Sequence, residues 1–105
     1  MTYNSGLPAI HPGEFLGEIL TDLQVVPADF ARAVDLAPEQ LGQVLQGAEP
    51  VTAELALLFG RALDQSPHYW LNLQAEYDLK TAEAQIASRL ARVRAIAQVG
   101  VSANP

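Results

Sequence analysis

No cysteine occurs in the 105 residues, which excludes disulfides and thiolate metal sites and suits a reducing compartment. Histidine is almost as scarce. His11 and His68 lie far apart with no second imidazole near either, so neither a metal site nor a cofactor is expected. There is no Ser–His–Asp arrangement, glycine-rich phosphate loop or H-E-x-x-H stretch, and no catalytic residue is assigned. No apolar run approaches the roughly 18 residues that span a bilayer. The opening Met-Thr-Tyr-Asn-Ser-Gly-Leu-Pro carries neither the basic nor the apolar region of a secretory signal. A cytoplasmic location is therefore expected.

Positive charge is missing from one half of the chain. Residues 1–60 hold a single base, Arg32, against eight acids: Glu14, Glu18, Asp22, Asp29, Asp35, Glu39, Glu49 and Glu54. Residues 61–105 hold five bases and four acids, and the net charge is −6. Such an acidic body repels nucleic acid at long range and attracts basic partners. For the chain as a whole, acidity that serves solubility is the better reading of the residues, but the asymmetry between the halves stands.

Half of the chain is hydrophobic, enough for one modest core at the length of a single domain. Residues 1–11 have no helical period and read as an extended arm. Pro12-Gly-Glu14 opens a first helix, because proline is pre-set for a first turn and Glu14 favours the positive end of the helix dipole. Phe15, Leu16, Ile19, Leu20 and Leu23 give it an apolar face. Val26-Pro27 ends it and begins a short second helix to about Val34. Asp35-Leu-Ala37 forms a turn. Pro38 starts a third helix with Leu41, Val44 and Leu45 inward and Gly47 as its stop. Thr52 caps a fourth helix, whose Leu55, Leu58, Phe59, Ala62 and Leu63 recur at amphipathic spacing. Ser66-Pro67 opens a fifth, carrying Trp70, Leu71, Leu73 and Tyr77.

From Tyr77 to about Val99 there is neither proline nor glycine. Leu79, Ala82, Ile86, Leu90, Val93 and Ala97 form a narrow stripe suited to a helix that packs along another, in this chain or a second one. This helix either continues the fifth or follows it. Nothing reads as a strand. The expectation is an all-α, five-helix domain over residues 12–99 with a longer C-terminal helix, and a fraying tail at 100–105.

Two short helices joined by a three-residue turn, with Ala31 small enough for close approach and Val34, Leu41 and Val44 in the angle, meet the requirement of a helix-turn-helix. The words around it are more specific. His11-Pro-Gly-Glu-Phe-Leu opens the domain, Pro50-Val-Thr-Ala-Glu-Leu-Ala-Leu-Leu-Phe-Gly-Arg-Ala-Leu63 lies in the middle, and Ser66-Pro-His-Tyr-Trp-Leu-Asn-Leu-Gln-Ala-Glu-Tyr-Asp-Leu79 follows. Together they resemble the HigA/VapI-type antitoxins, a branch of the Xre/Cro-like helix-turn-helix proteins, over about residues 11–83. The resemblance implies a lambda-repressor-like fold, a homodimer, repression through operator DNA in the protein's own promoter, and silencing of a small basic toxin similar to the RelE ribonucleases. It implies no enzymatic activity.

The chain departs from that pattern where DNA contacts are expected. Asp35 stands where the family usually has glycine, Ala37 where it has a Ser or Thr cap, and Ala48-Glu49 where Lys-Arg usually follows the helix-ending glycine. The outward positions of the third helix are Pro38, Glu39, Gln40, Gln43 and Gln46. Glutamine can pair with adenine and glutamate can accept from cytosine in the major groove, so Glu39, Gln40 and Gln43 are candidate base readers. Arg32, Gln46 and Thr52, with backbone amides, are the candidate phosphate contacts. The alternative is a polar solvated face, in which the protein is an interaction module of the same fold without specific DNA binding. Trp70, Tyr77, Ile86, Leu90 and Val93 are candidates for a dimer interface, where aromatic residues are enriched, although core packing also accounts for Trp70. Arg89, Arg92 and Arg94 read as a solvated face beside the stripe, or as partners of a second subunit's acidic surface or of phosphates.

Overall fold

Six α-helices follow one another through residues 8–96, the part of the chain described by the computed structural model. They are α1 (Pro12–Leu23), α2 (Pro27–Ala33), α3 (Pro38–Leu45), α4 (Ala53–Leu63), α5 (Pro67–Gln85) and α6 (Ala87–Ala91), and no strand occurs among these residues. Four of the helices begin on the proline anticipated from the sequence. Thr52 Oγ1 accepts the Leu55 N–H at 3.2 Å, and Ser66 Oγ accepts the His68 N–H at 3.1 Å, so both expected caps form. The cap of α1 is less usual: His11 Nδ1 accepts the Gly13 N–H at 2.9 Å.

The core is one cluster. Leu16 and Leu20 from α1, Phe30, Ala31 and Val34 around α2, and Leu41 and Val44 from α3 meet Val51, Leu55, Ala56 and Phe59 and the indole of Trp70. Phe59 stands between Phe30 and Trp70, with ring centroids 5.8 and 5.5 Å away. Trp70 is wholly buried, and its Nε1–H donates to Gln65 Oε1 at 2.9 Å, the partner that a buried indole requires. Helices α1 and α3 touch backbone to backbone: a Cβ on Gly13 would lie 1.9 Å from the Val44 carbonyl oxygen, which no side chain could tolerate.

The stripe toward the C-terminus departs from expectation. It is not one long helix but the end of α5, a break at Ile86 (φ −112°, ψ 23°) and the short α6. Residues 93–96 are not helical, and 97–99, with the 100–105 tail and residues 1–7 of the arm, fall outside the described residues. No proline or glycine causes the break. Among the described residues every one from Ala84 to Ile96 is exposed, so little packing supports this stretch, and short weakly supported helices are marginal in water. Leu23 and Ala62, placed on inward faces by spacing, are also exposed.

Candidate nucleic-acid interface

The angle between α2 and α3 is built by a left-handed residue. Asp35 has φ 60°, and its turn is closed by the Leu36 N–H donating to the Ala31 carbonyl at 2.9 Å. This is the Schellman closure that normally favours glycine, carried here by aspartate, one of the few other residue types that enter this region readily. The same closure ends α3. Gly47 has φ 80°, and the Ala48 N–H donates to the Gln43 carbonyl at 2.8 Å.

Helix α3 turns Leu41 and Val44 into the core, which leaves Pro38, Glu39, Gln40, Gln43 and Gln46 exposed. Ala37, its N-cap, makes no side-chain cap hydrogen bond, so the first turn of α3 presents uncapped backbone amides. A groove of about 540 Å³ runs beside the helix. Ala37, Glu39, Gln40 and Gln43 form one wall, and Glu49, Pro50, Thr52 and Glu54 the other. Of the candidate contact residues, the structure thus gathers Glu39, Gln40, Gln43 and Thr52 into one concavity. Pro38 and Gln46 are exposed on the same helix but outside the groove lining, and Arg32 stands apart on α2.

The electrostatics are as unusual as the sequence suggested. Three carboxylates, Glu39, Glu49 and Glu54, line the groove, and no lysine or arginine does. Arg32 is exposed but forms an ion pair with Asp29, one turn earlier on α2. The Thr52 hydroxyl is occupied as an acceptor by its cap bond, but its own proton is free to be donated. Glu54 was not singled out from sequence, since in the first turn of α4 a glutamate reads as a dipole partner.

The interface candidates divide. Trp70 is buried at 0% exposure in its own chain and offers no surface to a second subunit, which removes it from that set; its volume is consumed by Phe59 and the neighbouring core. Tyr77 is half-buried and packs its ring against His11 at 5.0 Å, edge to face. Ile86, Leu90 and Val93 are 36%, 46% and 70% exposed, an apolar surface left open on α6 and its flanks. Leu79 and Ile96 are exposed as well.

His68 is exposed. Among the described residues no group of three or more His, Asp or Glu could hold a metal ion, and no helix is long and apolar enough to cross a membrane.

No family model matches the chain. Curated proteins do. The chain is 37% identical over 83 residues to the uncharacterized HTH-type transcriptional regulator YddM of Escherichia coli (strain K12), covering 78% of this chain and 88% of that protein. It is 36% identical over 78 residues to virulence-associated protein I of Dichelobacter nodosus, covering 73% and 72%. Among solved structures, a HigA-family addiction module antidote protein from Coxiella burnetii superposes with a TM-score of 0.82 at 30% identity, over 86% of this chain and all of that one. PA4674 from Pseudomonas aeruginosa, solved in complex with its operator DNA, superposes with a TM-score of 0.81 at 33% identity, over 86% and 96%.

Proposed function

The chain belongs to the HigA/VapI-type, Xre-like family of helix-turn-helix antitoxins, and from that premise we propose that it is a homodimeric operator-binding repressor that also neutralises a small basic RelE-like toxin in the cytoplasm. The observation that carries the DNA half of this reading is the groove. On a fold shared with a relative solved on its operator, Glu39, Gln40, Gln43 and Thr52 converge on one concavity beside the exposed face of α3. Gln40 and Gln43 supply paired donors and acceptors for adenine, and Glu39 an acceptor for cytosine. The uncapped first turn of α3, with Thr52 and Gln46, supplies phosphate contacts that need no cation. The protein binds and regulates; it does no chemistry. The toxin half is supported by the resemblance and by an acidic body that suits a basic partner.

A second reading is favoured by the same groove. Three carboxylates and an arginine already paired to Asp29 suit a protein-interaction module that keeps the fold without specific DNA binding. A gel shift on a duplex from upstream of the protein's own reading frame, at low and moderate salt, decides between them. Operator binding gives a specific shift that Gln43→Ala weakens by about tenfold or more, the value of one paired base contact. Absence of a specific shift at low salt defeats the DNA reading and favours the second. Co-purification with a small basic protein encoded alongside tests the toxin half.

A further inference from the structure

The Trp-Leu-Asn-Leu-Gln-x-x-Tyr-Asp word at residues 70–78 contains more than a core tryptophan. Gln74 is a buried polar residue, 8% exposed, on the side of α5 that faces the loop between α3 and α4. Its Oε1 accepts the Val51 N–H at 2.7 Å, and its Nε2 donates to Asp78 Oδ1 at 2.9 Å. The carboxylate of Asp78 only accepts, so it fixes which end of the amide faces which way. With Nε2 turned to Asp78, Oε1 must meet Val51.

We propose that Gln74 is a positioning residue of the DNA interface: it holds the Gly47–Thr52 loop, the second wall of the groove, at its working distance from α3. The inference presupposes the operator-binding reading above. Within this loop the Ala48 and Glu49 N–H groups both return to the Gln43 carbonyl, at 2.8 and 3.2 Å, and Pro50 has no N–H. Thr52 caps α4, and Val51 is the point at which the loop is hydrogen-bonded to α5. Val51 is itself 2% exposed, so its N–H has no recourse to water if Gln74 is removed, and an unsatisfied buried donor moves or distorts what carries it. The next residue, Thr52, lines the groove, and Glu49 and Pro50 precede.

The other end of the loop lies beside His11. Tyr77 packs on His11, and the His11 ring lies where a Cβ on Gly47 would be 3.5 Å from its Cγ. Thus α5, the helix that leads into the exposed apolar stripe, bonds the wall directly at Val51 and reaches the Gly47 end only through the His11 ring.

The test compares operator affinity, fold and oligomeric state in the full-length protein, using the promoter duplex as probe. Gln74→Met, folded by circular dichroism and unchanged by light scattering, is expected to bind about five- to tenfold more weakly, the worth of a buried hydrogen bond. Gln74→Glu alone is also weak, because it places a carboxylate against Asp78. Combined with Asp78→Asn it regains most of the affinity, because the introduced carboxylate then accepts from both neighbours. A residue with a merely structural role would change the melting temperature and leave the affinity of the folded protein untouched, and that result overturns the inference, as does a paired variant no better than Gln74→Glu alone. Should Gln74→Met not fold, Asp78→Ala, at an exposed position, frees the amide to turn and is expected to cost about two- to threefold in affinity; an unchanged value overturns the inference. No specific shift with the unmodified protein removes the operator reading and this inference together. A normal shift unaffected by Gln74→Met removes the inference alone.

Discussion

The guanidinium of Arg32 is paired with the carboxylate of Asp29 one turn earlier on α2, and both side chains are mostly exposed, at 74% and 60%. Arg32 is the single base of the first sixty residues. The cation best placed in sequence to meet a phosphate beside the helix-turn-helix is thus already engaged by an acid of its own helix.

Releasing it is expected to strengthen DNA binding. An exposed pair of this kind contributes at most about 1 kcal/mol to stability, so Asp29→Asn leaves the fold intact. It frees Arg32 and removes a negative charge from the same face. Nonspecific affinity for duplex DNA at low salt should rise, and the log-log salt slope should steepen by about one unit, the signature of one added phosphate contact. Fluorescence anisotropy across a salt series measures both. An unchanged slope would mean that α2 does not approach the backbone.

Asp35 offers a separate gain in stability. At φ 60° a non-glycine residue bears a left-handed penalty, smaller for aspartate than for most. The closing Leu36 N–H to Ala31 carbonyl bond does not use the side chain. Asp35→Gly is expected to stabilise the domain by roughly 0.5 kcal/mol, the relieved strain exceeding the added freedom of the unfolded chain. That corresponds to a rise of about 2–4 °C in Tm for a domain of this size, readable by thermal melting. A lower Tm would show that the aspartate makes a stabilising contact with the first turn of α3.

These residues also mark where the sequence was readable. Proline at the head of α1, α2, α3 and α5, the hydroxyls of Thr52 and Ser66, and Gly47 at the end of α3 act within one turn of their own position, so local chemistry reveals them. The outward face of α3 followed, since the inward Leu41 and Val44 dictate that Glu39, Gln40 and Gln43 face out, but the opposite wall of the groove did not. His11 as a cap was hidden, because imidazole seldom serves in that role and its ring is held by Tyr77, 66 residues away. Gln74 was hidden for the same reason: its partner, Val51, is 23 residues away, and a glutamine in a helix normally reads as solvated. Trp70 could be assigned to core or interface until Phe59 was seen against it. The break at Ile86 has no local signal in proline or glycine; among the described residues, every one from Ala84 to Ile96 is exposed, so little packing supports the chain there.

That unpacked end is the place to test the dimer. Ile86, Leu90 and Val93 are among the large apolar residues that the described chain leaves open, and the stripe contributes nothing to the core. Leu90→Glu therefore leaves helix content and the melting of the monomeric core essentially unchanged, whereas a glutamate inside an apolar interface is an unpaired buried charge. Light scattering at micromolar concentration is expected to fall from dimer to monomer. Operator affinity should fall with it by about 100-fold, because a monomer loses the effective concentration that tethers the second recognition helix to its half-site, about 34 Å along the duplex from the first. A Leu90→Glu protein that remains dimeric would place the interface elsewhere. A monomeric variant that keeps full operator affinity would mean that one α3 suffices for recognition, and the two-half-site arrangement would have to be abandoned.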